Sequence, residues 1–382
     1  MSTKSLIFGD KVLLVIVLLL SLFSFFPVFS SSSYLSYVID GASPIYYLVK
    51  HLIVILFGFI LMLSIKLVPF KFFRGMSIIL LPIGIGLLVY TLSKGTIIGG
   101  SAASRWIDIP FVGISFQTSA LAAIIIITYT ARYLSKVELS KTKFSETLIP
   151  LWLPIFTYIF LIFPANFSSA FLIFTALVIT LFISGFPLRH LFKVFLILGF
   201  LLITFFFTAK TFPDKFPNRI DTWLSRIENF GSNKNLDASY QIERAKMAIN
   251  NGGLIGVGAG KSIMKNHLPQ SNSDFIFAII VEEWGSIGGA FIICLYILMF
   301  FRFLSITHRI DDRFGKILVS GLGVFIIIQA FTNISVATQI IPVTGQNLPL
   351  ISSGGSSAWM TCISLGMILS VSSSIKNKNG KQ

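Results

Sequence analysis

The chain has 382 residues, 54% of them hydrophobic and only 12% charged, with 39 phenylalanines, whereas an ordinary soluble domain carries about 25% charge. This composition excludes a soluble enzyme, a nucleic-acid-binding domain and a disordered chain, and the net charge of +15 matches the Lys/Arg excess that orients multi-spanning membrane proteins. Cys294 and Cys362 both lie inside apolar runs, which supports neither a disulfide framework nor a cysteine-based metal site.

A helix crosses the hydrocarbon core in about 20 apolar residues. That ruler predicts an all-α polytopic membrane protein with ten transmembrane helices, at 12–29, 46–65, 76–93, 114–134, 147–163, 168–186, 191–209, 275–301, 317–339 and 356–374. The first stretch follows Lys4 and Lys11 but lacks a small-x-small cleavage site, so it reads as a retained helix. With a cytoplasmic N terminus, one set of loops holds Lys66, Lys71, Arg74, Arg132, Lys136, Lys141, Lys143, Arg189, Lys193, Arg302, Arg309, Arg313 and Lys316, and the tail adds Lys376, Lys378 and Lys381. The opposite short loops hold only Lys50, Lys94 and Arg105. The asymmetry predicts both termini in the cytoplasm. Segment 210–274 then becomes a large extracytoplasmic loop between helices 7 and 8, and long loops translocate largely regardless of charge. No internal repeat of the kind found in many transporters is visible.

The first candidate site is the loop after the third span. Its small residues, Gly99 to Ser104, permit close backbone approach, and Arg105-Trp106 pairs a phosphate-capable guanidinium with an interfacial ring. An aromatic-belt anchor is the plainer alternative.

In the long loop, 238–250 predicts an amphipathic helix with Ile242, Ala245, Met247, Ala248 and Ile249 on its less polar side. Gly260-Lys261-Ser262 resembles the end of a P-loop, but Ile255 stands where the first glycine is required. No strand precedes it. The run from Gly252 reads instead as a flexible hinge with Lys261 and Lys265 facing an anionic group, or as a solvated loop.

Asp274 stands where the loop becomes the eighth span. Either it or Ser273 caps that helix, or Asp274 is a functional carboxylate. Glu282 and Glu283 lie about 12 Å deeper along the helix. A carboxylate at that depth costs a few kcal/mol and needs a cavity or a partner. Being adjacent, the two acids point in different directions, so one is expected to line a cavity and the other to make a structural bridge. Proton-coupled transport is the rival explanation for them. The last loop, Pro342 to Ser357, is too rich in Pro, Gly and Ser for helix; it is an ordered loop or a re-entrant element lining a wet cavity. His51, His190, His267 and His308 show no metal-ligand spacing, and no Gly-x-Ser-x-Gly motif or catalytic triad can be nominated.

Taken together, these blocks resemble the SEDS family of ten-span cell-wall polymerases, which includes FtsW, RodA and SpoVE. The resemblance runs in order through Arg105-Trp106-Ile107, Phe116-Gln117-Thr118-Ser119 and Tyr240-Gln241 to Gly260. It continues through Leu268-Pro269, Asp274-Phe275-Ile276-Phe277, Glu282-Glu283, Pro342-x-Thr344-Gly345, Leu348-Pro349-Leu350 and Gly354-Gly355-Ser356-Ser357. The stretch from Thr344 to Ser357 is nearer to FtsW than to RodA. The family pattern is broken where Thr118, Ala120 and Ala123 replace its Pro, Glu and Lys, where Asn166 replaces an aspartate, and where Gln270 replaces a glutamate. These changes remove charge from the cavity.

The resemblance implies a peptidoglycan glycosyltransferase that polymerises lipid II, a disaccharide-pentapeptide on undecaprenyl pyrophosphate, during division or elongation. It would act at the outer face of the bacterial cytoplasmic membrane. Asp274 would be the catalytic base. Arg105, Trp106, Arg244, Lys261, Lys265 and Ser356 would bind substrate, and Glu282 and Glu283 would support the site. No cofactor is evident, and a divalent cation is left open. The implied partners are a class B penicillin-binding transpeptidase and other divisome or elongasome membrane proteins, with no nucleic acid. A lipid II flippase or ion-coupled carrier, and a non-catalytic scaffold for the transpeptidase, are the competing classes.

Overall fold

The computed structural model describes residues 9–35, 43–96, 105–109, 114–138, 142–211, 236–268 and 270–379. Its helices are α1 (Lys11–Leu35), α2 (Pro44–Leu67), α3 (Lys71–Lys94), α4 (Thr118–Lys136), α5 (Phe144–Ile162), α6 (Phe167–Ile183), α7 (Leu188–Thr211), α8 (Leu236–Gly252), α9 (Ile276–Arg309), α10 (Arg313–Ala337) and α11 (Gly355–Asn379). A helix lies in each of the ten stretches predicted from hydropathy. Among the described residues, eight helices are long and apolar enough to cross a bilayer, and α6 is shorter, with 17 residues.

Apolar side chains coat these helices, and in lipid every backbone group must find its partner within the segment, so helix is the available solution. Hydroxyls inside the spans do the same by donating backwards, as Ser24 does to the Ser21 carbonyl (2.6 Å) and Thr91 to that of Leu87 (2.7 Å). Pro150 and Pro154 cannot donate, and α5 absorbs the lost bonds with a π-helical turn at Leu148–Trp152. Outward faces carry Ile53, Ile60, Ile79, Phe200, Ile203 and Phe207, all exposed as lipid-facing groups would be.

The centre is built from α4, α10 and α11. Helix α11 runs against α2 through small residues: a methyl on Gly366 would sit 2.6 Å from the Met62 carbonyl oxygen, and one on Gly58 2.9 Å from Cys362 Sγ. Close backbone approach of this kind replaces the hydrophobic driving force that lipid does not supply. At the far end of α9, Arg302 grips Asp10 with two hydrogen bonds, Nε to Oδ1 at 2.7 Å and Nη2 to Oδ2 at 2.5 Å, which ties α1 to α9.

Three expectations are corrected. The loop after α3 is not purely irregular: β1 (Trp106–Ile109) and β2 (Ile114–Gln117) form an antiparallel hairpin with Trp106 opposite Gln117. Helix α4 therefore starts at Thr118, not at 114. A two-stranded ribbon needs a partner to satisfy its backbone, which hydropathy along one strand does not reveal. The amphipathic helix expected at 238–250 is present as α8 (236–252), with Ala245 and Ala248 buried and Ile242 and Ile249 half-buried, and the correction is to Met247 alone, which is 43% exposed. Finally, α9 is not a continuous rod; it breaks at Gly285 (φ 68°, ψ −175°).

Candidate active site at the start of helix α9

The chain enters α9 through a tight turn. Gln270 adopts a left-handed φ of 57°, and its carbonyl accepts from the amides of Ser273 (3.1 Å) and Phe275 (3.4 Å). Phe275 occupies the N-cap position with no side-chain cap. The capping role weighed for Ser273 and Asp274 is therefore not used.

The Pro342–Ser357 loop fastens this turn. Ser352 donates its hydroxyl to the Ser273 carbonyl (2.7 Å), and Ser353 donates both its hydroxyl and its amide to the Asn272 carbonyl (3.0 Å each). From α10, the Asn333 amide donates to the carbonyls of Asp274 (2.9 Å) and Gln346 (2.6 Å). Gly345 turns with φ 64°, and a methyl there would touch Asp274 Oδ2 at 3.4 Å. Leu350, like Gln270, is a non-glycine residue in the left-handed region (φ 65°). Each such residue costs about 1–3 kcal/mol and persists only where the surroundings over-determine it.

Asp274 is 9% exposed. Burial raises its pKa from 3.8 to about 6, against the Ser273 hydrogen bond and the Arg105 charge, which both favour the carboxylate. Arg105 is held by Nε donation to the Ala165 carbonyl (2.8 Å), at the start of α6. The hairpin's other strand is pinned where the Gln117 amide donates to Ser356 Oγ (3.2 Å) at the start of α11. The hairpin region thus spans the starts of α6 and α11 and holds Arg105 where its charge favours the Asp274 carboxylate.

Beside this cluster lies a cavity of about 30 Å³ lined by Gln117, Ser119, Ala120, Ser169, Gln329, Gln346, Ser357, Thr361 and Ser364 together with apolar groups. Gln346 joins it to the Asp274 network by donating to Ser169 Oγ (3.0 Å). No charged residue lines it. The Asn166 side chain accepts from the Ser169 amide (3.1 Å) and caps α6, a task an amide performs about as well as a carboxylate.

Glu282 is consumed in structure, whereas Glu283 keeps one carboxylate oxygen, Oε2, buried without a hydrogen-bond partner among the described residues. Glu282 accepts from the Ser262 hydroxyl and from the amides of Ile263 (3.2 Å) and Met264 (3.3 Å). Glu283 accepts from the Ser30 hydroxyl of α1. The break at Gly285 frees backbone groups that the glycine-rich segment then occupies. Val257 and Gly258 amides donate to the carbonyls of Glu282 and Glu283 (3.0 Å each), and the Ser286 amide donates to the Gly253 carbonyl (2.9 Å). The two backbones lie so close that a methyl on Gly285 would stand 2.1 Å from the Leu254 carbonyl oxygen. The Gly252–Ser262 run is therefore a fixed plug, not a flexible hinge.

The remaining predicted cations are distributed differently from expectation. Lys265 donates its ammonium to the Gly260 carbonyl (2.7 Å) and Ser30 Oγ (3.3 Å), beside Glu283. Arg244 lies over the Tyr240 ring at 4.8 Å on its own helix. Lys261 is exposed. Of these cations, Arg105 is the one whose charge acts on Asp274. Trp106 is half-buried on β1 and Ser356 is buried. Gly99–Ser104, residues 212–235 of the long loop and Pro269 lie outside the described residues. Sequence reasoning missed Asn333, Gln346, Ser352, Ser262 and Ser30. Asn333 carries a signal in the sequence, a lone amide within an apolar span.

Comparison with known proteins places these features in context. The profile of a family described as FtsW/RodA/SpoVE, cell cycle protein, matches residues 10–377. A protein of Hydrogenovibrio crunogenus named "Probable peptidoglycan glycosyltransferase FtsW" is 31% identical over 333 residues, 86% of this chain and 82% of that protein. Among solved structures, a chain from work on the structural coordination of polymerization and crosslinking by a peptidoglycan synthase complex superposes with a TM-score of 0.74 at 20% identity, covering 96% of this chain and 98% of its own. The crystal structure of the Thermus thermophilus rod shape determining protein RodA gives 0.66 at 21% identity, with 95% and 96% covered.

Proposed function

The chain belongs to the FtsW/RodA/SpoVE family, and we propose that it is a peptidoglycan glycosyltransferase that polymerises lipid II with Asp274 as general base. The observation that carries this reading is Asp274 itself: a buried carboxyl with a pKa of about 6, on a turn whose backbone carbonyls are held by Ser352, Ser353 and Asn333, and not used to cap its helix. A base titrating close to neutrality combines the right protonation state with useful proton affinity.

In the proposed reaction, the 4-hydroxyl of one sugar attacks the anomeric carbon of a lipid-linked sugar. Asp274 takes the hydroxyl proton as the new C–O bond forms. The bond from the anomeric carbon to pyrophosphate breaks, and the electron pair leaves with the lipid pyrophosphate. Arg105, already positioned by Ala165, offers the cation that the departing charge needs. The Thr344 hydroxyl, next to Gly345, is buried and has no hydrogen-bond partner among the described residues. Gly345 leaves Asp274 Oδ2 uncovered on that side. The carrier alternative drew its support from Glu282 and Glu283; Glu282 is occupied by Ser262, Ile263 and Met264, and Glu283 accepts from Ser30 through one of its two oxygens.

The proposal extends to topology and partner. Both termini would be cytoplasmic, segment 210–274 and Asp274 extracytoplasmic, and the membrane the bacterial cytoplasmic one. A penicillin-binding transpeptidase would be the partner, supported by the likeness to a chain of a synthase complex that coordinates polymerization and crosslinking. Purified protein should convert labelled lipid II into glycan strands, alone or with a cognate class B transpeptidase. Folded protein that forms no strands in either condition would overturn the polymerase and favour a scaffold.

A further inference from the structure

At the end of α9 remote from Asp274, a second feature has no part in the proposed chemistry. Lys11 opens α1 and Arg309 closes α9, so both cations stand at helix ends, at the level where a span meets water. Between them lies a cavity of about 140 Å³ bordered by Asp10, Lys11, Arg302, Arg309 and Ser372. It shares Lys11, Val12 and Arg302 with a larger groove of about 540 Å³. The groove runs down the outside of the bundle, walled by Val12, Val15 and Leu19 of α1 and by Leu298 and Phe301 of α9, all exposed.

The charges at the mouth are unbalanced. Asp10 is consumed by its two bonds to Arg302 and by the Leu13 amide (3.0 Å). Lys11 and Arg309 are both exposed. An apolar slot of this volume, within the range of about 300–1,000 Å³ typical of ligand sites, opens on two cations and the Ser372 hydroxyl. Basic pockets between membrane helices favour anionic headgroups, with roughly 1 kcal/mol for each Lys or Arg near the surface. The Arg302–Asp10 clamp fixes the spacing of the two helices and so holds the slot open.

We propose that this groove binds an anionic glycerophospholipid, its phosphate between Lys11 and Arg309 and one acyl chain lying along α1 and α9. The site is separate from the Asp274 end and independent of the function proposed for it.

Native mass spectrometry of the full chain, titrated with phosphatidylglycerol or phosphatidylcholine, tests the site. Wild-type protein should retain phosphatidylglycerol at least fivefold more tightly. Lys11→Gln with Arg309→Gln should lose about 30-fold in affinity for it, at about fivefold per cation. Lys11→Arg should retain the preference, which separates lost charge from misfolding. Val15→Trp, which fills the slot, should weaken retention of both lipids. Lys71→Gln, at the same end of the bundle but outside the groove, should change nothing. A wild-type preference below fivefold, unchanged binding in the double variant, or an equal loss in Lys71→Gln overturns the proposal.

Discussion

Replacing Asp274 with asparagine separates a base from a structural group, because the two roles move stability and activity in opposite directions. Folding raises this carboxyl's pKa from 3.8 to about 6, so the native state holds the proton more tightly than the unfolded chain does. That contribution is fully present below pH 3.8 and is lost as pH rises through about 6. At pH 7 the native protein therefore carries an ionised, desolvated group at a cost of up to about 3 kcal/mol, from about two pKa units at 1.36 kcal/mol each. Asparagine is neutral, nearly the same size, and leaves the bonds from Asn333, Ser352 and Ser353 untouched, since all of them reach backbone carbonyls in this turn. Asp274→Asn should melt at the wild-type temperature or above. Removal of a general base lowers turnover by about 10²–10⁴-fold, equivalent to roughly 3–5 kcal/mol in the barrier. Gel-resolved polymerisation of labelled lipid II measures the activity, and thermal unfolding in detergent measures the stability. Robust strand synthesis by the variant, or a loss of activity accompanied by lower stability, would refute the assignment.

The pH profile of kcat/KM should fall about tenfold per unit below pH 6 and flatten above it, because activity requires the deprotonated carboxyl; a profile flat to pH 5 would contradict this. Arg105→Gln should weaken lipid II use and also move that acid limb to higher pH, since the Arg105 charge favours the carboxylate; an unmoved limb would return Arg105 to a purely anchoring role. Gly285→Ala should cost at least about 3 kcal/mol, because it combines positive φ with a methyl 2.1 Å from the Leu254 carbonyl oxygen. Gly253→Ala, left-handed but unobstructed, should cost only about 1–2 kcal/mol, and equal thermal losses would show that the plug does not abut α9. Single cysteines at Ser140 and Asn377 should react with an impermeant reagent only after permeabilisation, and one at Ser232 in intact cells; labelling of all three from one side would invert the proposed orientation.

The amino-acid sequence by itself determined that this is a multi-spanning helical membrane protein, where its helices run, and that Asp274 heads the helix of interest. Those properties are one-dimensional: hydropathy over about 20 residues, charge counts beside each span and a motif read in order. Only the tertiary structure decided what the polar groups do, because a hydrogen-bond partner is chosen by proximity in space. Glu282 and Glu283 look alike in the sequence as costly intramembrane acids. Folding gives one to Ser262 and two backbone amides, and the other to Ser30, 253 positions away. The Gly252–Gly258 run looks like a hinge until the break at Gly285 exposes backbone groups for it to satisfy. Asp274 looks like a cap until Phe275 takes that position. The carboxyl's raised pKa likewise depends on burial beneath a loop some 70 residues downstream, a desolvation that no local window of sequence contains.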